Sequence, residues 1–339
     1  MDASSSCEWF LPLFRSLDGF LLPPPTKLVR FHYTLSEELK AAGCPSWRCT
    51  FTHNRTDIET ADAVVFSSVE MTLKDAPHYR TPSQRWVWVT LEAPRGVTGV
   101  HDLDVIRREN LHHLINWTMT YNRYADVIGS YGHFRSKDKT PLPPRPNLSS
   151  SYPGVIRKYL DALEKNITLA DVMGRAWREF VNRPRLVSWV ASHCPTISKR
   201  EQYVDELVKY APVDIYGRCG NLVCLPKNPF HECWNHTMGR LYLFYLAFEN
   251  DLCDDYISEK LYRALYYKLV PVVWGGNGYE SVMVPGSYIN ARHYHPKDLA
   301  KLLLDLQEDP VAYGRYCVEN FVLSLENTAR RLSGIVTGT

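Results

Sequence analysis

The 339-residue chain has no run of about 20 consecutive apolar residues, the length that a helix needs to cross a bilayer. Its best apolar stretch, residues 9–22, is interrupted by Pro12, Arg15 and Asp18 and lacks a basic leader and a clear cleavage site, so it is a poor signal peptide. The chain also has no large excess of positive or negative charge, since it contains 39 basic and 37 acidic side chains. This balance gives no support for nucleic-acid binding through bulk charge.

Two ligand-binding signatures are absent as well. There is no Gly-x-Gly-x-x-Gly fingerprint for a dinucleotide, and no Cys-x2-Cys pair of the kind that zinc sites use. A zinc reading of Cys219, Cys224, His231 and Cys233 is therefore weak, and disulfides in this stretch are favoured. The turn at 275–278, Gly-Gly-Asn-Gly, either approaches a ligand closely or is simply tight.

Cysteines and glycosylation sequons are plentiful instead. There are nine cysteines, an odd number, and Cys194 and Cys253 are candidates to meet at one sheet edge. Asn-x-Ser/Thr triplets occur at Asn54, Asn116, Asn147, Asn166 and Asn235. A secretory-lumen protein explains both features, and a cytosolic protein with reduced thiols and silent sequons is the alternative. Because no targeting segment is found, we expect a truncated form, an isoform or an incomplete gene product.

Apolar runs and helical patterns alternate along most of the chain. Residues 1–25 read as a tail that ends in three prolines, and the proline-rich segment 137–153 reads as a surface excursion or linker. Strands are predicted at 28–33, 48–51, 63–66, 86–91, 115–120, 126–130, 185–191, 213–216, 241–248, 270–274 and 287–290. Helices are predicted at 35–42, 101–113, 154–165, 198–210, 257–268 and 296–306. This order predicts two α/β halves, each a doubly wound parallel sheet.

Ligands of open parallel sheets bind beyond the carboxyl ends of the strands, which directs attention to Glu92 in the first half. In the second half, Lys199 with Arg200, and Lys260, lie in first helical turns, where a cation opposes the helix dipole unless an anion is bound there. Extension into solvent is the alternative for each side chain. Asp102 and Asp104 form an Asp-x-Asp that either binds a metal or caps a helix.

Several motifs resemble those of the alpha-1,3-fucosyltransferase family. Residues 244–261 read FYLAFENDLCDDYISEKL, and residues 270–275 read VPVVWG. Residues 85–94 resemble the family's Trp-Val-x-x-x-x-Glu-Ser-Pro, and residues 116–121 and 126–132 resemble its Asn-Trp-Thr-x-x-Tyr and Asp-x-x-x-x-Tyr-Gly. The cysteine-bearing form of these motifs is similar to invertebrate and plant-like members, which act on the N-glycan core.

The resemblance implies a GT-B fold, with two Rossmann-like domains facing across a cleft. It implies a stem remnant at 1–25, an acceptor-side domain at 26–165, a GDP-fucose-binding domain at 166–321 and a tail at 322–339. It also implies transfer of L-fucose from GDP-fucose, with inversion, to the 3-hydroxyl of N-acetylglucosamine. The N-glycan core is slightly favoured over lactosamine-type acceptors. The implied compartment is the Golgi lumen, with a membrane anchor in the full-length protein.

By the same resemblance Glu92 is the catalytic base, and the donor is bound by Arg200, Asn250, Tyr256, Glu259 and Lys260. Glu249 is a further donor-side candidate, with structural hydrogen bonding as its alternative. No metal ligands or required cofactor are implied, although stimulation by a divalent metal is compatible with the fold.

Some residues depart from the family's pattern. Glu92 is followed by Ala93 where the family has serine, and Ser192 is followed by His193 where it has asparagine. The end of the chain, residues 317–320 and 323–339, also differs. The alternative function is therefore a fucosyltransferase-like binding protein with impaired catalysis.

Overall fold

The structure is a computed structural model that describes residues 19–21, 50–52, 55–67, 80–93, 114–135, 157, 161, 165, 177–223, 233–283, 286–322 and 324–326. These residues fall into two compact units, and the boundary lies between His133 and Phe134. The predicted strand at 28–33, the helices at 35–42 and 101–113, the linker at 137–153 and the Asp102–Asp104 pair lie outside the described residues.

The N-terminal unit contains a six-stranded parallel sheet. Its strands are β1 (Gly19–Leu21), β2 (Thr50–Thr52), β3 (Ala63–Ser67), β4 (Arg85–Thr90), β5 (Trp117–Thr120) and β6 (Val127–Ile128), in the order β2-β1-β3-β4-β5-β6. A 3-10 helix, Arg55–Thr60, precedes β3. The apolar side chains of Ile58, Val64, Phe66, Trp86 and Trp88 pack into one core cluster.

Strand β1 lies within the segment 1–25 that the sequence predicts to be a tail. Gly19–Leu21 pairs in parallel with both β2 and β3, which places it inside the sheet. A three-residue strand is too short for its periodicity to be recognised in a sequence. The predicted strands at 63–66 and 86–91 are confirmed as β3 and β4.

The C-terminal unit contains a second parallel sheet of five strands. They are β8 (Arg185–Val190), β9 (Val213–Tyr216), β10 (Tyr242–Phe248), β11 (Val270–Trp274) and β12 (Ile289–Asn290), in the order β12-β11-β10-β8-β9. All seven residues of the central strand β10 are buried, as expected for a parallel strand covered on both faces. Strands β7 (His133–Arg135) and β13 (Ser324–Glu326) form a separate two-stranded sheet.

Helices connect and cover the strands of this second sheet. They are α1 (Trp177–Val181), α2 (Arg200–Leu207), α3 (Glu259–Tyr266), α4 (Pro296–Glu308) and α5 (Pro310–Val322). A π-helical turn, Trp234–Met238, leads through Gly239–Leu241 into β10, and 3-10 turns occupy Tyr279–Ser281 and Ala291–His293. Helix α4 starts favourably, with Pro296 in its first turn and His295 as its N-cap. Within the described ranges, no helix is both long and apolar enough to cross a membrane.

A disulfide joins the loops that follow β8 and β9. It links Cys194 to Cys219, so a pairing of Cys194 with Cys253 is wrong, although both residues follow strands that end at the same sheet edge. The two loops face each other because β8 and β9 are adjacent, with Val190 opposite Tyr216. Cys233 is also disulfide-bonded. Cys219 and Cys233 are therefore not thiolate ligands, which removes the zinc reading of this stretch.

Candidate functional site

The predicted cationic residues converge at the carboxyl edge of the C-terminal sheet. Strand β10 lies between β8 and β11, so the loops after these three strands meet at one edge. Arg200 follows β8 and begins α2, while Lys260 follows β10 and lies in the first turn of α3. The condition for an anion site, two cationic helix starts at a single sheet edge, is therefore met.

Lys260 is held by a buried hydrogen-bond network. Its ammonium group lies 3.0 Å from Oε2 of Glu249 and 2.7 Å from Oγ of Ser258. The same Glu249 carboxylate accepts the backbone N–H of Ser258 at 2.8 Å and its hydroxyl at 2.7 Å. Glu249 and Ser258 are fully buried, whereas 17% of the Lys260 side chain is exposed. The ammonium group therefore makes two hydrogen bonds within the protein, and part of the Lys260 side chain is exposed to solvent.

Glu259 completes the ionisable cluster at the start of α3. Its Oε1 lies 3.5 Å from the Lys260 ammonium, and about a quarter of its side chain is exposed. Burial alone would raise the pKa of Glu259, but the positive charges of Lys260 and Arg263 outweigh burial and lower it. Burial alone would lower the pKa of Lys260, but Glu249 and Glu259 outweigh it and raise this pKa. Lys260 is therefore a fixed cation at neutral pH.

Glu249 differs from Glu259 because it is completely enclosed. Burial raises the pKa of Glu249, and the Lys260 ammonium and the two hydrogen bonds from Ser258 oppose this increase. A buried carboxylate of this kind is expected to be paired and hydrogen-bonded. Of the two readings of Glu249, the observed geometry supports structural hydrogen bonding.

Arg200 is almost entirely buried, with 2% of its surface exposed. Its guanidinium donates to the carbonyl of Phe248 at 2.6 Å and to that of His193 at 2.8 Å, and it lies over the ring of Trp189. Arg200 thus connects the loop after β8 to the end of β10. It contributes positive charge to the edge while fixing the backbone there.

Ser198 links the same loops a second time. Its hydroxyl donates to the carbonyl of Glu249 at 2.7 Å, its N–H donates to the carbonyl of Asn250, and its own carbonyl accepts the Trp274 indole N–H. Ser198 therefore connects the loop after β8, the loop after β10 and the last residue of β11.

The remaining predicted donor residues lie in the loop after β10. Tyr256 is buried, with 2% of its surface exposed. The side-chain oxygen of Asn250 is also buried and has no hydrogen-bond partner within the described part of the chain. A buried amide oxygen without a partner is rare in folded proteins, so this atom needs a water molecule or a ligand group.

The glycine-rich turn after β11 is tight because it packs against its own chain. A side chain at Gly275 would collide with the Tyr279 hydroxyl, and one at Gly276 would collide with the backbone of Cys253. Gly278 has a φ of 114°, which favours glycine. The tight-turn reading therefore explains these glycines without a ligand.

Glu92 lies in the N-terminal unit, two residues after the end of β4. Its carboxylate is half-buried, and its Oε1 lies 3.3 Å from the hydroxyl of Tyr131. The same hydroxyl donates to the carbonyl of Leu91 at 2.8 Å. Tyr131 and Ser258 were not predicted as site residues, although Tyr131 lies in a recognised motif and Ser258 stands at a helix N-cap position.

Two of the five predicted glycosylation sites are described. Asn116 is exposed, and its side-chain oxygen accepts the backbone N–H of Trp86 at 2.8 Å and a hydrogen bond from Arg80. Asn235 is exposed in the π-helical turn before β10. Asn54, Asn147 and Asn166 lie outside the described residues. In the described part of the chain, no group of three or more His, Cys, Asp or Glu side chains could hold a metal ion.

The fold is shared with solved enzyme structures. A crystal structure of an alpha1,3-fucosyltransferase with GDP-fucose matches 91% of this chain and 83% of its own chain, with a TM-score of 0.53 and 16% identity. One of an alpha1,3-fucosyltransferase with GDP matches 95% and 91%, with a TM-score of 0.52 and 16% identity. These matches and the two parallel sheets confirm the predicted GT-B fold class.

Sequence relatives agree with the fold. Alpha-(1,3)-fucosyltransferase C of Drosophila melanogaster is 33% identical over 279 residues, which are 80% of this chain and 60% of the relative. Glycoprotein 3-alpha-L-fucosyltransferase A of the same organism is 31% identical over 287 residues, which are 81% of this chain and 47% of the relative. The chain thus spans about half to three fifths of the length of these relatives.

Two family profiles cover most of the chain. The fucosyltransferase N-terminal profile matches residues 24–132, and the profile of the glycosyltransferase family 10 (fucosyltransferase) C-terminal region matches residues 180–330. Together with the motifs and the fold, these matches show that the chain belongs to glycosyltransferase family 10, the fucosyltransferases.

Proposed function

We propose that the chain transfers L-fucose from GDP-fucose to the 3-hydroxyl of N-acetylglucosamine in glycoprotein glycans, with inversion at the anomeric carbon. The observation that carries the proposal is the convergence of Arg200 and Lys260 at the carboxyl edge of the C-terminal sheet. Two cations and a helix start are suited to the diphosphate of a nucleotide sugar. Membership of the family, and solved relatives described with GDP-fucose and with GDP, support this donor.

In the proposed reaction, Glu92 is the general base. The carboxylate takes the proton from the acceptor 3-hydroxyl as the hydroxyl oxygen forms its bond to C1 of fucose. The bond between C1 and the phosphate oxygen breaks, and its electron pair leaves with GDP. Negative charge therefore develops on the diphosphate, where the Lys260 ammonium and the Arg200 guanidinium stabilise it.

The other predicted donor residues complete the proposed site. Asn250, Tyr256 and Glu259 would bind hydroxyl groups of ribose or fucose and the phosphates. The buried Asn250 side-chain oxygen supports a polar ligand or water at this point. No metal ligand is proposed.

The proposed compartment is the Golgi lumen, with a membrane anchor in the full-length protein. A disulfide between Cys194 and Cys219 supports an oxidising compartment, because disulfides persist there and are rare in the cytosol. The sequons at Asn116 and Asn235 lie at exposed positions, which is compatible with glycosylation. The domain limits at 26–165 and 166–321 stay predictions.

The test is an incubation of the chain with GDP-fucose and two acceptors, an N-glycan with an unmodified core and an N-acetyllactosamine oligosaccharide. Linkage analysis of the product is expected to show fucose on the 3-hydroxyl of N-acetylglucosamine, with more product from the core acceptor. A Glu92→Gln variant is expected to lose transfer by at least about a hundredfold and to keep GDP binding. Transfer at the wild-type rate by this variant would remove Glu92 as the base.

Two other results would change the assignment. GDP binding without any fucosylated product would select the alternative, a binding protein with impaired catalysis. Turnover with a different nucleotide sugar only would select another GT-B transferase.

A further inference from the structure

We propose that Glu249 and Ser258 are positioning residues that hold the Lys260 ammonium in the orientation in which it meets the donor diphosphate. The inference rests on the proposed function and deepens it. Glu249 and Ser258 would act through Lys260 and would not touch the donor, since both are fully buried.

Lys260 needs such support because of its place in the fold. It is the second residue of α3, where the unpaired N–H groups and the helix dipole repel a cation. The N-cap residue Ser258 makes no side-chain capping bond to its own helix. Instead, the Glu249 carboxylate accepts the Ser258 N–H and brings a negative charge to the helix start. The carboxylate thus caps the helix and offsets the charge of Lys260.

The hydrogen-bond roles in the network are consistent. The Ser258 hydroxyl has one hydrogen to donate, which goes to Glu249, and it can still accept from the Lys260 ammonium. Lys260 directs one N–H bond to Glu249 and one to Ser258. The third remains for Glu259, at 3.5 Å, or for a phosphate oxygen. The direction of this third bond is fixed by the other two.

Glu249 is itself held firmly. Its N–H donates to the carbonyl of Trp274 at 2.7 Å, and its carbonyl accepts the Ser198 hydroxyl at 2.7 Å. The backbone that carries the carboxylate is therefore fixed by the end of β11 and by the loop after β8. Because the backbone of Glu249 is fixed, its carboxylate can hold the Lys260 ammonium in a defined position.

A positioning role for Glu249 and a purely electrostatic role for its charge predict opposite changes in GDP affinity when Glu249 is replaced by glutamine. If the charge of Glu249 merely weakens the positive field, then Glu249→Gln should strengthen GDP binding. If Glu249 orients Lys260, the same substitution should weaken GDP binding at pH 7.5 by at least about tenfold. GDP affinity of the full chain is measured by calorimetry. Glu308→Gln is the matched control, because it removes one exposed negative charge at the end of α4.

A double-mutant cycle separates positioning from direct contact. In a Lys260→Met background, Glu249→Gln is expected to change GDP affinity by less than about twofold, because its partner is gone. Losses that multiply in the double variant would show direct contact with the donor and overturn the proposal. Unchanged or stronger GDP binding by the single Glu249→Gln variant would also overturn it.

A second measurement does not depend on GDP. Acetic anhydride labelling of Lys260 at pH 9, followed by peptide mass spectrometry, reports how much of its amine is unprotonated. Several titratable or charged groups surround it: Glu249, Glu259, Arg263, Arg200 and Tyr245. In Glu249→Gln the labelling rate of Lys260 at pH 9 should rise about tenfold or more, and in Glu308→Gln it should not change. An unchanged labelling rate in Glu249→Gln would overturn the proposed coupling.

Ser258→Ala covers the case in which Glu249→Gln does not fold. It keeps both charges and removes only the hydroxyl between them, so GDP affinity should fall about threefold or more. Wild-type affinity in Ser258→Ala would contradict the positioning role. If the wild-type chain binds no GDP, the proposed function fails, while the labelling experiment still decides whether Glu249 sets the state of Lys260.

Discussion

The hydroxyl of Tyr131 lies 3.3 Å from the Glu92 carboxylate and 2.8 Å from the Leu91 carbonyl. It therefore holds the proposed base against the end of strand β4. Gly129 supports this arrangement, since a side chain there would press on Leu91. The Tyr131 hydroxyl thus connects Glu92 to the end of β4.

Removal of the Tyr131 hydroxyl should impair catalysis without affecting the donor. For Tyr131→Phe we expect transfer to fall by about tenfold, because a hydrogen bond to a charged group is lost, and GDP affinity to stay the same. Steady-state kinetics and calorimetry measure the two quantities. Tyr124→Phe is the matched control, since Tyr124 is 87% exposed in the same unit. Equal activity of the two variants would exclude a role for Tyr131.

Two buried arginines allow an effect on donor binding to be distinguished from an effect on stability. Arg200 donates to the carbonyls of Phe248 and His193 at the carboxyl edge of the sheet, and Arg183 donates to the carbonyls of Tyr242 and Lys268 near its opposite edge. A lysine cannot reproduce either forked contact. Both Arg→Lys variants should lose about 1–3 kcal/mol of stability in urea unfolding. Only Arg200→Lys should also weaken GDP binding; equal GDP affinities would argue against Arg200 as a donor residue.

The disulfide should stabilise the C-terminal unit. Cys194 and Cys219 are 25 positions apart in the sequence, and chain entropy predicts about 3.5 kcal/mol for a loop of this length. The double variant Cys194→Ser, Cys219→Ser should unfold at lower urea when followed by the fluorescence of buried tryptophans, Trp189 among them. GDP binding should also weaken, because the His193 carbonyl that orients Arg200 is adjacent to Cys194. An unchanged urea midpoint would contradict the stabilising role.

Cys317 should behave as an inert thiol in the folded chain. Burial raises its pKa to about 12, while a hydrogen bond with Tyr313 and the charge of Arg183 oppose this increase. The folded-state pKa exceeds the unfolded value of about 8.5. The folded state therefore retains the proton, and the resulting stability is full below pH 8.5 and is lost as pH rises toward 12.

Two measurements check this pH dependence. Iodoacetamide should not alkylate Cys317 at pH 8.5 until urea unfolds the chain. Replacement by alanine should reduce the fall in stability between pH 8.5 and 10. Rapid alkylation of the native chain would show that the thiol is accessible.

Much of the sheet architecture could be predicted from the sequence, because buried parallel strands leave strong apolar runs such as residues 242–248 and 270–274. The cationic helix starts were also recognisable, since Arg200 and Lys260 stand where cations are unfavourable. Their convergence followed once β8 and β10 proved to be neighbours.

The rest depended on tertiary contacts. Ser258 reads as an ordinary helix cap in the sequence, and only the fold brings the Glu249 carboxylate onto it. The partner of Cys194 lies after β9, which no spacing rule indicates. Helix α5 was not predicted, and its apolar periodicity is less regular than that of α4.

Because strand β10 pairs with strands on both sides, the C-terminal unit cannot be divided at β10 without breaking its sheet. It bonds to β8, which begins 57 residues earlier in the chain, and to β11, which follows it. A fragment that stops before Tyr242 would leave β8 with an open edge, and a fragment that starts there would expose seven apolar residues in a row. Either truncation should aggregate, so expression trials should keep residues 177–326 together.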